Sequence, residues 1–415
     1  MYGSYLMAEV VKIFAVDLEP GMYISSLDRP WLETPFSLQG FKLQNQEEIH
    51  RLREYCKYVY VDTAQSSLDA AIVRRKVRNR PRQSNQELFS DRSLKVYPDS
   101  VTWEEEYPRA LRAVMVLSQG IDAIFGKMSK TGSLDMVTVK QCVEPMVESI
   151  ARHPGACIWL ARLKQEDDYT YQHPLCAAIW AVALGRQLGL PRTDLRSLAI
   201  GGLLFDIGKL GVPEELLDTT RELTDEEFQQ VRHHVKLGVD MIRGSALVNT
   251  DVIDMITHHH ERHDGSGYPD GLRGDDIPIF ARIASIVDCY DAITSQRSYA
   301  RAIPPSTAVK MLYEWKDIDF QAELIEEFIQ AVGIYPAGTL VELSTSEVGV
   351  VMEAYRSRRL RPRLLVLLDA NKQALQPPRT LDLLAEKTAA DGSPLDILNS
   401  LEPNSHGINM SSIPL

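Results

Sequence analysis

Seven of the ten histidines in this 415-residue chain lie between positions 173 and 263, with acids interleaved among them. Imidazole and carboxylate groups bind divalent metals through nitrogen and oxygen, so their spacing could carry chemistry. In DVIDMITHHHERH (251–263), Val252, Met255, Ile256 and His259 fall at i, i+3, i+4 and i+7, the buried stripe of a helix. His260 lies on the edge of that stripe beside Ile253 and Ile256. His258 shares a face with Asp251, Asp254 and Arg262. The spacing predicts His259 and His260 inside and His258 in solvent. Upstream, Phe228, Val231, Val235 and Ile242 mark an apolar face that includes His234, with His233 further round. Downstream, ARIASIVDCYDAITS puts Ala284, Val287, Asp288 and Asp291 on one helical face. Finally, GGLLFDIGKLGVP (201–213) sets Asp206 directly after Leu203, Leu204 and Phe205, with Lys209 one turn on.

A carboxylate sunk among leucines needs a partner, or it takes up a proton instead. A single inward histidine is ordinarily a hydrogen-bonded core residue. Five inward groups are a different matter: Asp206, His234, His259, His260 and Asp288 all point to the interior. A divalent metal held by neutral imidazoles and carboxylates satisfies the whole set at once, with Asp206 as a bridging carboxylate. A shell of nitrogen and oxygen without thiolate suits Fe, Mn or catalytic Zn better than a structural zinc.

The elements that must position these groups are mostly helical. From about Val101 to Val332 nearly every segment shows helical spacing, with Pro and Gly at the ends, as in QLGLP and KLGVP. Thr224–Asp–Glu–Glu227 is a capping box that opens the helix leading to His233 and His234. Residues 1–68 read as a small mixed α/β domain, with VVKIFAVDL and KYVYVD as strands and QNQEEIHRLREYC as a helix. Residues 69–100 read as a basic linker, since six of the nine residues at 74–82 are Arg or Lys. A solvated connection is the plain reading of that run; a docking site for an acidic partner or an RNA is the other. Residues 101–332 form the helical domain. Residues 333–385 are a β-rich extension with TLVEL, VGVVMEAY and RLLVLLD as strands, and 386–415 are a loose tail. The expected fold class is mainly α, with a small α+β domain before the helices and a short β extension after them.

Composition narrows the function classes. With 44% hydrophobic and 25% charged residues this is an ordinary globular composition. No apolar run approaches the ~20 residues of a membrane helix. MYGSYLMAEVVKIF has no basic start followed by an apolar core, so a cytoplasmic location without membrane insertion is expected. Five scattered cysteines without a CxxC pair argue against disulfides and a cysteine zinc site. A net charge of −12 argues against general nucleic-acid binding, so an anionic ligand would need a few local cations.

The stretches DIGKLGVP, HHERHDGSGYPDGL and VDCYDAITSQRSY together resemble the HD-GYP phosphodiesterases, the HD-superfamily enzymes that hydrolyse cyclic di-GMP. The resemblance covers roughly residues 140–330. DLEPGMYISSLDRPWLETPF resembles the uncharacterised domain often found ahead of this module, and GIYPAGTLVELSTSEVGVV resembles the β extension that often follows it. The resemblance implies two divalent ions, Fe or Mn, held by His173, Asp206, His234, His259, His260 and Asp288. Tyr169 stands where three-metal members carry an extra carboxylate, which implies a two-metal site. Lys209 matches the lysine that contacts a substrate phosphate; Arg297 and Arg301 match the basic residues near the other phosphate. Gly265, Gly267 and Gly271 let the loop at Tyr268–Pro269 pass close to the ligand, with Tyr268 lining a guanine pocket. Asp206 and Lys209 would take part in catalysis. The chemistry implied is in-line attack of a metal-activated water on phosphorus, giving linear pGpG and in some members GMP. Diguanylate cyclases or other signalling proteins are the implied partners, and a homodimer is left open.

One position departs from the pattern. The His-Asp pair that names the superfamily is here Phe205-Asp206, and a phenylalanine cannot ligate a metal. By position, the missing histidine serves the ion also held by His173 and Asp288. The expectation is one firm site at His234, His259, His260 and Asp206, and one weakened site. Two readings follow: a phosphodiesterase with an altered metal site, which is favoured, or a catalytically impaired module that binds cyclic di-GMP or a protein partner. A metal phosphohydrolase for another nucleotide is a third, smaller class.

Overall fold

Alternating apolar residues along VVKIF and YVYVD set the pattern of the first unit, and helical stripes set that of the second. The computed structural model describes residues 10–29, 31, 34–36, 40–56, 58–68, 82–163, 169–221, 223–243, 248–296, 301–355, 358–410 and 413, with backbone alone at 12, 16 and 169–171. The chain divides into two units, Met1–Arg82 and Gln83–Leu415. In the first, β1 (Val10–Phe14), β2 (Tyr23–Leu27), β3 (Phe41–Lys42) and β4 (Tyr58–Asp62) form an antiparallel sheet in the order β1-β4-β2-β3. Helix α1 (Gln46–Tyr55) is opened by the Asn45 side chain, which accepts from the Glu48 backbone N–H at 3.0 Å. It buries Ile49 and Leu52 with Ile13, Met22, Ile24, Val59 and Val61. Apart from Arg82, the basic run at 74–82 lies outside the described residues.

The second unit opens with the short helix α2 (Asn85–Leu88). Residues 83–100, read from the sequence as part of a linker, run along the helical bundle. Phe89 is buried, the Tyr97 hydroxyl donates to the Leu190 carbonyl at 2.8 Å, and Arg92 meets Asp194 and Asp251 at 3.1 and 3.0 Å. Single aromatic and ionic anchors hold this strap, so it carries no apolar period. The bundle follows: α3 (Trp103–Thr131), α4 (Met136–Arg152), α5 (Pro154–Leu163), α6 (Tyr169–Leu188), α7 (Arg192–Leu204), the short α8 (Glu214–Leu217), α9 (Asp225–Arg232), α10 (His234–Ile242), α11 (Thr250–His258), α12 (Ile279–Thr294), α13 (Pro305–Glu314) and α14 (Ala322–Val332). Helix α6 is the centre. From Leu175 to Leu184 every residue is buried, and α6 packs against α7, α12, α14 and α3. A helix apolar all round belongs in the middle of a bundle.

Small residues let the site-bearing elements approach. A Cβ on Gly208 would fall 1.9 Å from the His234 carbonyl oxygen and 2.5 Å from the Gly238 nitrogen. The turn after Asp206 therefore rests backbone to backbone on α10.

The C-terminal sheet is antiparallel in the order β8-β7-β6-β5-β9, with β5 (Leu340–Leu343), β6 (Val348–Glu353), β7 (Arg363–Leu368), β8 (Ala374–Asp382) and β9 (Ile397–Ser400). Strand alternation divides its apolar residues between two cores: Val348, Val350, Leu365 and Leu367 join the helices, while Val341, Val351, Leu364 and Val366 pack with Leu381 and Leu383. The last strand arises within the segment expected to be a loose tail, where Ile408, Met410 and Ile413 are also buried. Helices, preceded in the chain by one small sheet and followed by another, make the mainly α fold that the sequence implies. Among the described residues no helix is long and apolar enough to cross a membrane.

Candidate metal centre

Three breaks in the helical structure deliver most of the functional side chains. Asp206 sits just past the end of α7, His233 separates α9 from α10 so that His234 starts a new helix, and His259 ends α11. The sequence pattern treats 225–242 as one helix; the break at His233 turns Phe228 outward, where it is 41% exposed. His173 and Asp288 come from the interiors of α6 and α12.

These side chains form two groups that share Asp206: Asp206, His234, His259 and His260 in one, and His173, Asp206 and Asp288 in the other. The shared carboxylate assigns one oxygen to each. Its Oδ1 lies 3.3 Å from His234 Nε2 and 3.5 Å from His259 Nε2, which stand 3.4 Å apart. Its Oδ2 lies 3.3 Å from His173 Nε2, which is 3.3 Å from Asp288 Oδ1. Donors bound about 2.1 Å from one ion stand about 3.0–3.4 Å from each other, so both groups have metal-ligand spacing. Asp206 Oδ1 is enclosed yet makes no hydrogen bond. A buried carboxylate oxygen left that way is costly unless a cation completes it.

The imidazoles are oriented from behind. Nδ1 of His234 donates to the Val231 carbonyl at 2.7 Å, and Nδ1 of His259 faces the Met255 and Ile256 carbonyls at 3.2 and 3.1 Å. Nδ1 of His173 donates to Asp291 Oδ2 at 2.7 Å, while Trp180 Nε1 lies 3.4 Å from the other oxygen of Asp291. In each case the outer nitrogen is held and Nε2 is presented inward, which fixes the tautomer a metal ligand needs. The sequence placed Asp291 on the right face but gave it no role.

Charge differs across the centre. Burial pushes the Asp206 carboxyl up, but Lys209, 2.5 Å away, and the three imidazoles outweigh it and hold Asp206 well below the carboxylate range. Asp288 is likewise burdened by burial yet held low by His173 and His260. Burial alone would depress His173, but Asp206, Asp288 and Asp291 raise it well above the ordinary imidazole range. His259 and His260 are lowered, chiefly by burial, and so favour the neutral form that ligates metals.

The chain resembles known proteins over most of its length. Residues 146–322 match the HD domain model, residues 10–139 a domain of unknown function, and residues 340–390 a KOW domain associated with the HD domain. The chain is 35% identical over 381 residues to the cyclic di-GMP phosphodiesterase PA4108 of Pseudomonas aeruginosa, covering 90% of this chain and 88% of that protein. The chain belongs to the HD-GYP family. It is also 34% identical over 148 residues to the cyclic di-GMP phosphodiesterase response regulator RpfG of Xanthomonas campestris, covering 35% and 39% of the two chains. It is 25% identical over 248 residues to the 3'3'-cGAMP-specific phosphodiesterase 2 of Vibrio cholerae, covering 59% and 48%.

In this HD-GYP protein Phe205 does not turn away from the centre. It is fully buried, its ring stacks on His259 at 4.8 Å and meets His173 edge-on at 5.5 Å. An apolar ring thus fills the space between the two groups. The HD-GYP loop passes over the other side. Tyr268 stacks on His260 at 4.6 Å, and Gly267 is forced: a Cβ there would lie 2.4 Å from the Arg262 nitrogen and 2.5 Å from the His260 oxygen. Gly265 and Gly271 have φ of +81° and +66°, which suits glycine. Pro269 is exposed at the tip of the loop. Glu261, 1% exposed, accepts from the backbone N–H groups of Asp270, Gly271 and Leu272 at 2.8, 3.1 and 3.0 Å, fastening the far end of the loop. Its partners lie nine to eleven residues on, beyond the reach of a helical pattern, so the sequence reading missed it. His258, expected in solvent, is half-buried and lies 3.2 Å from Asp270. Of the two proposed arginines, Arg301 is exposed and Arg297 lies outside the described residues, as does the side chain of Tyr169.

Proposed function

We propose that this chain is a metal-dependent phosphodiesterase that opens cyclic di-GMP to linear pGpG. The observation that carries the reading is one carboxylate, Asp206, offering each of its oxygens to a separate group of metal donors. That a relative 35% identical over nearly the whole chain bears the name cyclic di-GMP phosphodiesterase supports the choice of substrate. His234, His259, His260 and Asp206 would hold the firm ion, and His173, Asp288 and the same Asp206 a second one with one donor fewer. Divalent ions of the Fe or Mn kind supply Lewis-acid polarisation of the phosphoryl oxygens and an acidified water.

The chain's own groups do the rest. Lys209, anchored on Asp206, brings an ammonium to the phosphoryl oxygens and offsets the charge that builds on them. Tyr268, stacked on His260 with the Arg232 guanidinium over its ring, lines the mouth on the side of the loop. The buried ring of Phe205 excludes water from one side of the centre.

A second reading, nucleotide recognition without turnover, is favoured by Phe205 lying against His259 and His173. One assay separates them. Purified protein with added Fe²⁺ or Mn²⁺ under anaerobic conditions is given cyclic di-GMP, with 3'3'-cGAMP in parallel, and products are resolved by chromatography. Formation of pGpG, abolished by Asp206→Ala, is the expected result. Binding of cyclic di-GMP with no product under either metal leaves the receptor, and cleavage of 3'3'-cGAMP alone changes the substrate.

A further inference from the structure

Arg232 is the last residue of α9, two positions before the ligand His234. Its guanidinium lies 4.5 Å from the ring centre of Tyr268 and 4.6 Å from that of Phe228. Tyr268 in turn stacks on His260. The cation is therefore one aromatic ring away from the metal-donor group. Its Nε is enclosed and makes no hydrogen bond. Among the described residues Arg232 has no carboxylate in ion-pair range. Arg221, at the other end of the same region, shows the ordinary alternative, pairing with Glu227 at 2.5 Å. In a chain of net charge −12, a partly enclosed guanidinium beside the candidate centre, with no acid in range among the described residues, keeps its charge for an anion.

Two aromatic rings hold the faces of a guanidinium and leave its N–H edge directed elsewhere. That edge is a planar fork matched to two oxygens of a phosphate. A cyclic dinucleotide carries two phosphodiesters, and only one can be under attack at Asp206. Lys209 is committed to that one, since it is anchored on Asp206 itself. The family resemblance sets Arg297 and Arg301 near the other, and Arg232 is a further cation on the side of the loop.

We infer that Arg232 binds the non-scissile phosphodiester of the cyclic dinucleotide, with Phe228 and Tyr268 holding its plane. This rests on the reading of the chain as a cyclic-dinucleotide phosphodiesterase. It makes Arg232 a specificity residue: it selects a ligand with two phosphates over one with a single diester. It also gives exposed Phe228 a purpose, as the outer wall of the guanidinium slot.

The test compares cyclic di-GMP with bis(p-nitrophenyl) phosphate, a diester with one phosphate, on the full metal-loaded chain. Arg232→Met should lower the ratio of kcat/KM for cyclic di-GMP over the small diester at least tenfold, mainly through KM. Arg232→Lys, which keeps the charge without the fork, should fall between. Metal content measured alongside confirms that each variant retains its centre, and the lysine variant decides the matter if the methionine one does not fold. A ratio unchanged from wild type in the folded variants overturns the role of Arg232 alone. A wild-type chain that cleaves the small diester but neither binds nor cleaves cyclic di-GMP overturns the substrate assignment, and Arg232 with it.

Discussion

The two halves of the centre are built on different logic. The half formed by His234, His259, His260 and Asp206 is assembled at helix ends, and helix carbonyls orient the imidazoles of His234 and His259. His173 and Asp288, which form the other half around the shared Asp206, come from helix interiors, and a buried carboxylate, Asp291, orients the imidazole. Backbone carbonyls cannot be lost by mutation, whereas Asp291 and the residue at 205 can. The difference teaches where such a centre decays first: in the half whose donors and orienters are all side chains. On the proposed reading the missing donor, at Phe205, belongs to that half, although the ring lies against both His259 and His173.

The contrast can be broken in order of expected effect. Removing a donor from the complete half should be worst: His259→Ala is expected to lower turnover by about 100-fold or more and to remove the tightly held ion, both read on one preparation by activity and metal analysis. His173→Ala should cost clearly less; equal losses would show that the two halves work as one unit. Asp291→Asn should weaken the second ion by about 10–100-fold while leaving the first, as measured by metal titration. Loss of both ions in that variant would mean that Asp291 supports the fold rather than one ligand. Phe205→His should raise metal content and turnover together, the latter by about tenfold. A second ion gained with no gain in rate would sink the idea that this donor limits activity. The smallest effect is expected from Glu261→Gln, which leaves one strong acceptor for the loop N–H groups and should cost about 1–2 kcal/mol in thermal or denaturant unfolding, with a raised KM and little change in metal content.

The sequence announced the complete half more clearly than the other, for physical reasons. His234 and His259 lie on amphipathic segments, where a polar residue on an apolar stripe stands out. His173 lies on a helix buried on every side, so no stripe exists to interrupt, and only the family resemblance drew attention to it. Glu261 and Arg232 were illegible because their partners are set by loop closure and by the helix break at His233. The same break explains why Phe228, read as an inward residue, faces out. The strands at 340–368 were legible as short, nearly continuous apolar runs, which the structure buries on both faces. Strand β9 lies in a polar stretch with little alternation, and its pairing with β5 is what defines it.

Glu261 has one further consequence. Its three hydrogen bonds join the start of the loop to its end, so the main chain from 261 to 272 is closed into a ring without a covalent link. A ring has a fixed circumference. One residue added or removed between Glu261 and Asp270 would slide Tyr268 off His260 or pull the amides from the carboxylate. The segment therefore works as a ruler: its side chains are free to drift at several positions, but its length is not.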